Sequence, residues 1–352
     1  MVIVSTSNHR IKVGLMGFGR IGRNFYRLVA ESESVEIVAI SDLGRPDILH
    51  YLLQRDSIHG TFSSTANLDG NMLKLDDGSQ AKMFSAVEPK DVPWNDFDID
   101  VVIDATGKYT TRAQMQQHID SGAPRVIISS LPSDEIDRVV IIGVNDGDIT
   151  AEDRLISAGS STTHAAALLL AALSSHFDIE RAMMTSVHAF TSDQPLQDVA
   201  GKDFRRSRSA AENIIPNESP TPRWIGTILP QFADRFEGMT LNVPVADGSY
   251  IDLTFRFTQP GTTVEQINSA METEAARIPD ILAVTADPIV SSDIIGDTHS
   301  VVFDQQATMV TQRGMAKIIG WYDNGWGHAA RILDTLKAYD RLEAGGHHES
   351  RH

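Results

Sequence analysis

The sequence predicts an α/β chain, a doubly wound parallel-sheet domain followed by a second, α+β domain, and three observations carry the prediction. A short apolar run, Lys12–Met16, leads into the glycine-rich Gly17-Phe18-Gly19-Arg20-Ile21-Gly22. A stretch of helical period follows at Asn24–Glu31, and a second apolar run, Val35–Ile40, ends in Ser41-Asp42. This reads as strand, tight turn, helix, strand. Two further β-type runs, Asp100–Ile103 and Arg125–Ile128, close on the small polar clusters Ala105-Thr106-Gly107 and Ser129-Ser130. Such clusters line the carboxyl edge of a parallel sheet, where ligands bind. After about residue 160 the pattern changes, with a helix at Ser161–Leu173 and β-rich runs at Ala182–Phe190, Met239–Val245, Ser249–Thr258 and Thr308–Trp321. These are the signs of a mixed or antiparallel sheet. Gly327–Leu342 carries Ile332, Leu333, Leu336, Tyr339 and Leu342 at helical spacing and predicts a packed C-terminal helix. The expected domains are residues 11–160 plus a C-terminal helix at about 324–344, and residues 161–323.

Composition narrows the function classes. The chain has 352 residues, 30 Lys+Arg against 47 Asp+Glu, a net charge of −17 and no cysteine. So acidic a field repels phosphate backbones and anionic lipids, so neither nucleic acid nor a membrane is an expected partner, and any phosphate site must be built locally. Disulfides, thiolate metal sites and cysteine nucleophiles are excluded. No apolar segment resembles a secretory signal, and the apolar Ala165–Leu173 is half a membrane span, so a cytoplasmic location is expected. His347, His348 and His352 read as a disordered polar end, and no metal site is expected.

The glycine motif alone is weak, but its setting is specific: it follows a strand, opens a helix, and has Asp42 at the end of the next strand. Gly17 permits the tight turn, Gly19 lets backbone approach a pyrophosphate, and Gly22 allows close packing of a helix whose N-terminus faces the anion. Asp42 is placed to accept hydrogen bonds from a ribose diol and would repel a 2′-phosphate, which favours NAD over NADP. The first domain is therefore expected to be an NAD-binding (Rossmann) domain.

Several ordered motifs then converge: residues 12–24 around the glycines, Asp56-Ser-Ile-His-Gly60, Ser186-Val-His-Ala-Phe-Thr-Ser-Asp-Gln194, Lys202-Asp-Phe-Arg-Arg-Ser-Arg208, Asn213-Ile-Ile-Pro216 and Trp321-Tyr-Asp-Asn-Gly-Trp-Gly327. Over about residues 11–342 the chain resembles the glyceraldehyde-3-phosphate dehydrogenase family. The resemblance implies an NAD-dependent oxidoreductase acting on an aldehyde, assembled as a homotetramer. It implies cofactor contacts from Gly17, Gly19, Arg20, Ile21, Gly22, Asp42, Thr106, Ser129 and Asn324, the last for the nicotinamide carboxamide. In that family a cysteine in Ser-Cys-Thr-Thr-Asn-Cys attacks the aldehyde, a histidine takes protons, and phosphate cleaves the thioester. Here the segment reads Ser160-Ser161-Thr162-Thr163-His164-Ala165, so Ser161 stands at the nucleophile position, with His188 matching the base. An alcohol, unlike a thiol held as thiolate, must lose its proton during attack. Ser161 is thus either a working nucleophile, an inactivating replacement of a cysteine, or the mark of a protein without covalent chemistry.

The anion-holding positions also depart from the family. An arginine expected within Gly-Met-x-x-Arg-Val-Pro is Asn242, which removes a bidentate, charge-assisted phosphate ligand. A Thr-Ser-Thr-Gly loop is replaced by Asn217-Glu-Ser-Pro220, which keeps only the Ser219 hydroxyl and adds a carboxylate. Ser160, Thr162, Thr191 and Arg206 remain at matching substrate positions, so the expected substrate is an aldehyde with an altered, less charged tail. His164 reads as a structural histidine at a helix start or as a catalytic one, and His328 as pocket-shaping or as packing. The resemblance implies that the Arg205–Arg208 run is a loop lining a neighbouring subunit's cofactor pocket, and Asp193 and Asp198 read as residues that order it. Two rival functions stay open: an NAD-binding regulatory or scaffolding protein without turnover, and an oxidoreductase with no covalent intermediate.

Overall fold

The computed structural model describes residues 10–349, with side chains to residue 342. The chain forms two compact units. The first comprises residues 10–138, 150–158 and the chain from Leu336 on; the second comprises residues 139–149 and 159–335.

The first unit is built on a sheet whose parallel strands lie in the order Gln80–Phe84, Val35–Ser41, Ile11–Met16, Val101–Asp104, Val126–Ile128, Leu155–Ser157. Ranked by chain position this is 3-2-1-4-5-6, the doubly wound order, with its switch point between Ile11–Met16 and Val101–Asp104. Val101–Asp104 and Val126–Ile128 are buried at every position, as strands covered on both faces must be. Helix Arg20–Val29 follows the first strand, and the hairpin Ala66–Asp69/Met72–Leu75 extends one edge antiparallel. That hairpin, turning at Gly70 with φ 62°, and the helix Pro46–Gln54 were absent from the sequence reading.

The second unit is a seven-stranded mixed sheet in the order Ile215–Glu218, Phe236–Val243, Ile179–Ala189, Ser249–Phe257, Met315–Tyr322, Val301–Val310, Leu282–Thr285. The β-run expected at Thr308–Trp321 is instead parts of two antiparallel strands, Val301–Val310 and Met315–Tyr322. Between them the chain reverses at Thr311–Gly314, where Gly314 takes φ 79° and its N–H bonds the Thr311 carbonyl. Helix Ser161–Ser174 is apolar all round and almost wholly buried, so it packs as the central element of this unit's core. Gly320 makes room for it: a Cβ there would lie 3.0 Å from Leu169 Cδ1 and 2.4 Å from Val301 Cγ2.

The C-terminal helix, expected over Gly327–Leu342, runs over Trp326–Glu349. It therefore continues through His347 and His348, where a disordered end was expected; His352 lies outside the described residues. Among the described residues no helix is long and apolar enough to cross a membrane.

Candidate active site

In the first unit the glycine turn sits at the sheet's switch point. Gly17 adopts φ 91°, and a Cβ there would lie 2.7 Å from the Thr106 amide nitrogen, so only glycine fits both the conformation and the space. At Gly22 a Cβ would lie 2.1 Å from the Gly17 carbonyl oxygen, so the helix closes directly on its own turn. Gly19 is different: it is the residue before the first helical turn, and a Cβ there would meet open space. Arg20 and Ile21 open the helix, whose N-terminus carries no side-chain cap. A helix start without a side-chain cap, beside a glycine with open space at its Cβ, is a geometry that can receive an anion such as a pyrophosphate. Asp42 accepts hydrogen bonds from the Phe18 N–H at 2.6 Å and the Gly44 N–H at 2.8 Å, which orients its carboxylate beside the turn. Thr106 lies at the end of Val101–Asp104, and Ser129 is placed beside that strand by its N–H to the Asp104 carbonyl, 2.9 Å.

In the second unit the chain enters helix Ser161–Ser174 through a left-handed Gly159, φ 67°, and Ser160. Ser160 caps the helix, its Oγ accepting from the Thr163 N–H at 3.2 Å, which makes Ser161 the first helical residue. Ser161 thus sits at the positive end of a 14-residue helix. Thr162 Oγ1 is 3.0 Å from the Tyr322 hydroxyl, which is 2.9 Å from Ser186 Oγ. The Tyr322 ring also stands edge-on to the His188 ring, with centroids 6.1 Å apart. One buried tyrosine therefore touches both the helix start that carries Ser161 and the histidine expected to serve as base.

His188 ends the strand Ile179–Ala189, with its Nδ1 2.7 Å from the Ala189 carbonyl. A carbonyl only accepts, so Nδ1 carries the proton and Nε2 keeps its lone pair. Burial lowers the His188 pKa, which keeps the ring neutral and basic in form at pH 7. His164 has the same tautomer but no such vacancy. Its Nδ1–H faces the Ser160 carbonyl at 3.2 Å and its Nε2 accepts from the Ile142 N–H at 3.3 Å. Burial, helped by His328 and Arg331, drives its pKa well below the ordinary value. Both ring nitrogens are spent on backbone, so the structural reading of His164 holds. His328 is also buried, its ring 6.4 Å from that of His164.

Asn242 sits opposite His188 in the parallel pairing of their strands and is buried. Its Oδ1 accepts from Asn217 Nδ2, so the two asparagines are bonded to each other. Thr191 and Arg206 are brought together by Asp193, which accepts from the Thr191 hydroxyl and pairs with the guanidinium. Asp198 binds Arg208 at 2.8 Å and the Ser209 N–H at 2.9 Å, so both aspartates tie down the 193–209 loop. Ser219 is committed locally, its Oγ accepting from the Thr221 N–H at 3.3 Å. Asn324 lies in the second unit, its Oδ1 accepting from Ser249 Oγ at 2.8 Å while Ser249 Oγ accepts the Ala189 N–H at 3.0 Å. Tyr322 and Asn217 had no assigned role from sequence. Nothing local marks a tyrosine whose partners lie 136 and 160 positions away.

Comparison with known proteins agrees with this layout. Residues 11–112 match the family description "Glyceraldehyde 3-phosphate dehydrogenase, NAD binding domain", and residues 160–324 match its "C-terminal domain". The chain is similar to "Glyceraldehyde-3-phosphate dehydrogenase 2" of Streptomyces avermitilis, 39% identical over 327 residues, covering 92% of this chain and 97% of that one. It is 41% identical over 333 residues to "Glyceraldehyde-3-phosphate dehydrogenase" of Mycobacterium avium, covering 93% and 97%. To the protein of that name from Borreliella burgdorferi it is 39% identical over 334 residues, covering 93% and 99%.

Proposed function

This chain belongs to the glyceraldehyde-3-phosphate dehydrogenase family, and on that footing we propose that it is an NAD-dependent aldehyde dehydrogenase whose substrate carries a less charged tail than a phosphate ester. The observation that carries the reading is the state of His188: a neutral ring whose Nδ1 proton is fixed on the Ala189 carbonyl, leaving Nε2 to take a proton. NAD, when bound, supplies the hydride acceptor. Ser161 Oγ adds to the aldehyde carbon as its proton passes to His188 Nε2, and the positive end of the helix favours the charge that develops on oxygen. Loss of hydride from the resulting hemiacetal carbon leaves an ester on Ser161, which an acyl acceptor, water or phosphate, then cleaves.

The uncapped helix N-terminus, the open space at Gly19 and the oriented Asp42 support Gly17, Gly19, Arg20, Ile21, Gly22, Asp42, Thr106 and Ser129 as cofactor residues. With its oxygen held by Ser249, the Asn324 amide is left as donor, in keeping with a carboxamide contact. The Asn217–Asn242 pair and the Asp193 carboxylate at Arg206 support the altered tail site around Ser160, Thr162, Thr191, Arg206 and Ser219. Residues 11–160 with the C-terminal helix are assigned to the cofactor and residues 161–323 to the substrate. A cytoplasmic homotetramer is part of the same reading: Phe204 is 96% exposed, with Leu196, Val199 and Ile214 also exposed around the same loop, an apolar surface that a second copy would cover.

The test is NADH formation by the protein and by Ser161→Cys over phosphorylated and unphosphorylated aldehydes, with and without inorganic phosphate. The expected result is turnover by both forms, faster with cysteine, and higher kcat/KM on unphosphorylated aldehydes; turnover by the cysteine form alone overturns Ser161 as the nucleophile. Preference for glyceraldehyde 3-phosphate overturns the tail assignment. NAD binding without NADH from either form overturns the dehydrogenase reading in favour of a binding protein.

A further inference from the structure

Behind the glycine turn lies a chain of buried polar groups that the reaction above does not use. Trp94, His118 and Asp104 are 0%, 0% and 2% exposed. The Trp94 indole Nε1–H donates to His118 Nδ1 at 3.0 Å. An indole only donates, so Nδ1 is an acceptor and the ring proton sits on Nε2, which faces Asp104 Oδ2 at 3.2 Å. The other carboxylate oxygen, Oδ1, accepts twice from Thr106, from its N–H at 2.8 Å and its hydroxyl at 2.6 Å. Thr106 Oγ1 in turn accepts the Lys108 N–H at 3.2 Å. The main chain so fixed, Ala105 to Thr106, is the wall against which Gly17 closes. The Trp94 ring packs directly on the backbone of Gly14, where a Cβ would lie 2.5 Å from it.

We propose that His118 is a positioning residue for the dinucleotide edge: with its tautomer set by Trp94, it holds Asp104 so that the 104–108 turn is rigid where Thr106 meets the cofactor. The inference rests on the assignment of Thr106 and of the first unit to NAD. The physical reason is the cost of an orphaned buried acceptor. Without the Nε2–H donor, Asp104 Oδ2 has lost its partner in a dry interior, and the carboxylate is free to rotate toward another donor. Rotation carries Oδ1 away from the Thr106 N–H and hydroxyl, and so loosens the turn.

The experiment measures NAD dissociation constants by calorimetry, and histidine ring nitrogen spectra, for the full-length protein, His118→Leu, His118→Gln and Trp94→Phe. The unaltered protein should show His118 protonated on Nε2. His118→Leu should weaken NAD binding about tenfold, within the cost of one unsatisfied buried group. His118→Gln, whose amide can still donate to Asp104, should recover most of that loss at a similar melting temperature, and Trp94→Phe should fall between. Unchanged NAD affinity in His118→Leu, failure of glutamine to rescue, or an Nδ1-protonated His118 overturns the proposal alone. Absence of NAD binding by the unaltered protein overturns it together with the cofactor assignment. If His118→Leu does not fold, the glutamine and phenylalanine variants and the ring spectrum still decide.

Discussion

Acidification should destabilise this protein through His164, and the size of the effect follows from its partners. In the native state a proton on Nε2 would confront the Ile142 N–H, while Nδ1–H is already given to the Ser160 carbonyl. Burial and the nearby His328 and Arg331 further oppose charge, so the native pKa lies well below the ordinary 6.5. In the unfolded chain the ring titrates near that ordinary value. Above it both states are neutral at this site and no pH term arises. Below it the unfolded state binds a proton that the native state does not, so stability falls as pH falls. With the native ring still neutral, the loss is about 1.4 kcal/mol at pH 5.5 relative to pH 7.5. The assay is urea unfolding of the protein and of His164→Asn at both pH values. Fixed differences between the two proteins cancel, as do the other histidines, and the double difference should be about 1.4 kcal/mol, with the histidine form losing more. A double difference near zero, or of opposite sign, would refute the assignment of His164 as a neutral backbone clamp.

Four further outcomes test other parts of the structure. Gly17→Ala should lower both melting temperature and NAD affinity, since the left-handed conformation alone costs roughly 1–2 kcal/mol before the clash with Thr106 is counted. Gly19→Ala, facing open space, should change stability by only a few tenths of a kcal/mol while still weakening NAD binding, read by calorimetry on the two variants in parallel. In the Ser161→Cys background, Asn242→Arg should raise kcat/KM for phosphorylated over unphosphorylated aldehydes roughly 10- to 100-fold, the range of a charge-assisted hydrogen bond of ~1.5–3 kcal/mol; no change would mean that Asn242 does not face the substrate tail. Tyr322→Phe leaves the Thr162 and Ser186 hydroxyls without their shared partner and should cost about 1–3 kcal/mol, seen as a lowered melting temperature.

Much was legible in the sequence because it is local. Glycine spacing, apolar period and the polar clusters that end strands specify the doubly wound domain, since each depends on residues a few positions apart. The same holds for Ser161 as the first residue of an apolar helix. The hairpin at Thr311–Gly314 escaped because an apolar run on both sides hides a reversal that one glycine permits.

The placing of charge and protons was decided by tertiary structure. That His164 is a clamp on backbone and that His188 holds its proton on Nδ1 depend on which carbonyls and N–H groups their rings meet, and for His164 one of those, the Ile142 N–H, lies 22 positions away. Asn242 read from sequence as standing where the family resembled has an arginine; only the fold shows that it is bonded to Asn217, 25 positions away. Trp94 and His118 of the Trp94–His118–Asp104 chain lay in segments that the sequence reading passed over, because a positioning histidine and a packing histidine look alike until their partners are known. A side chain's protonation and tautomer are set by desolvation and by hydrogen-bond partners, and both come into being only when distant segments pack together.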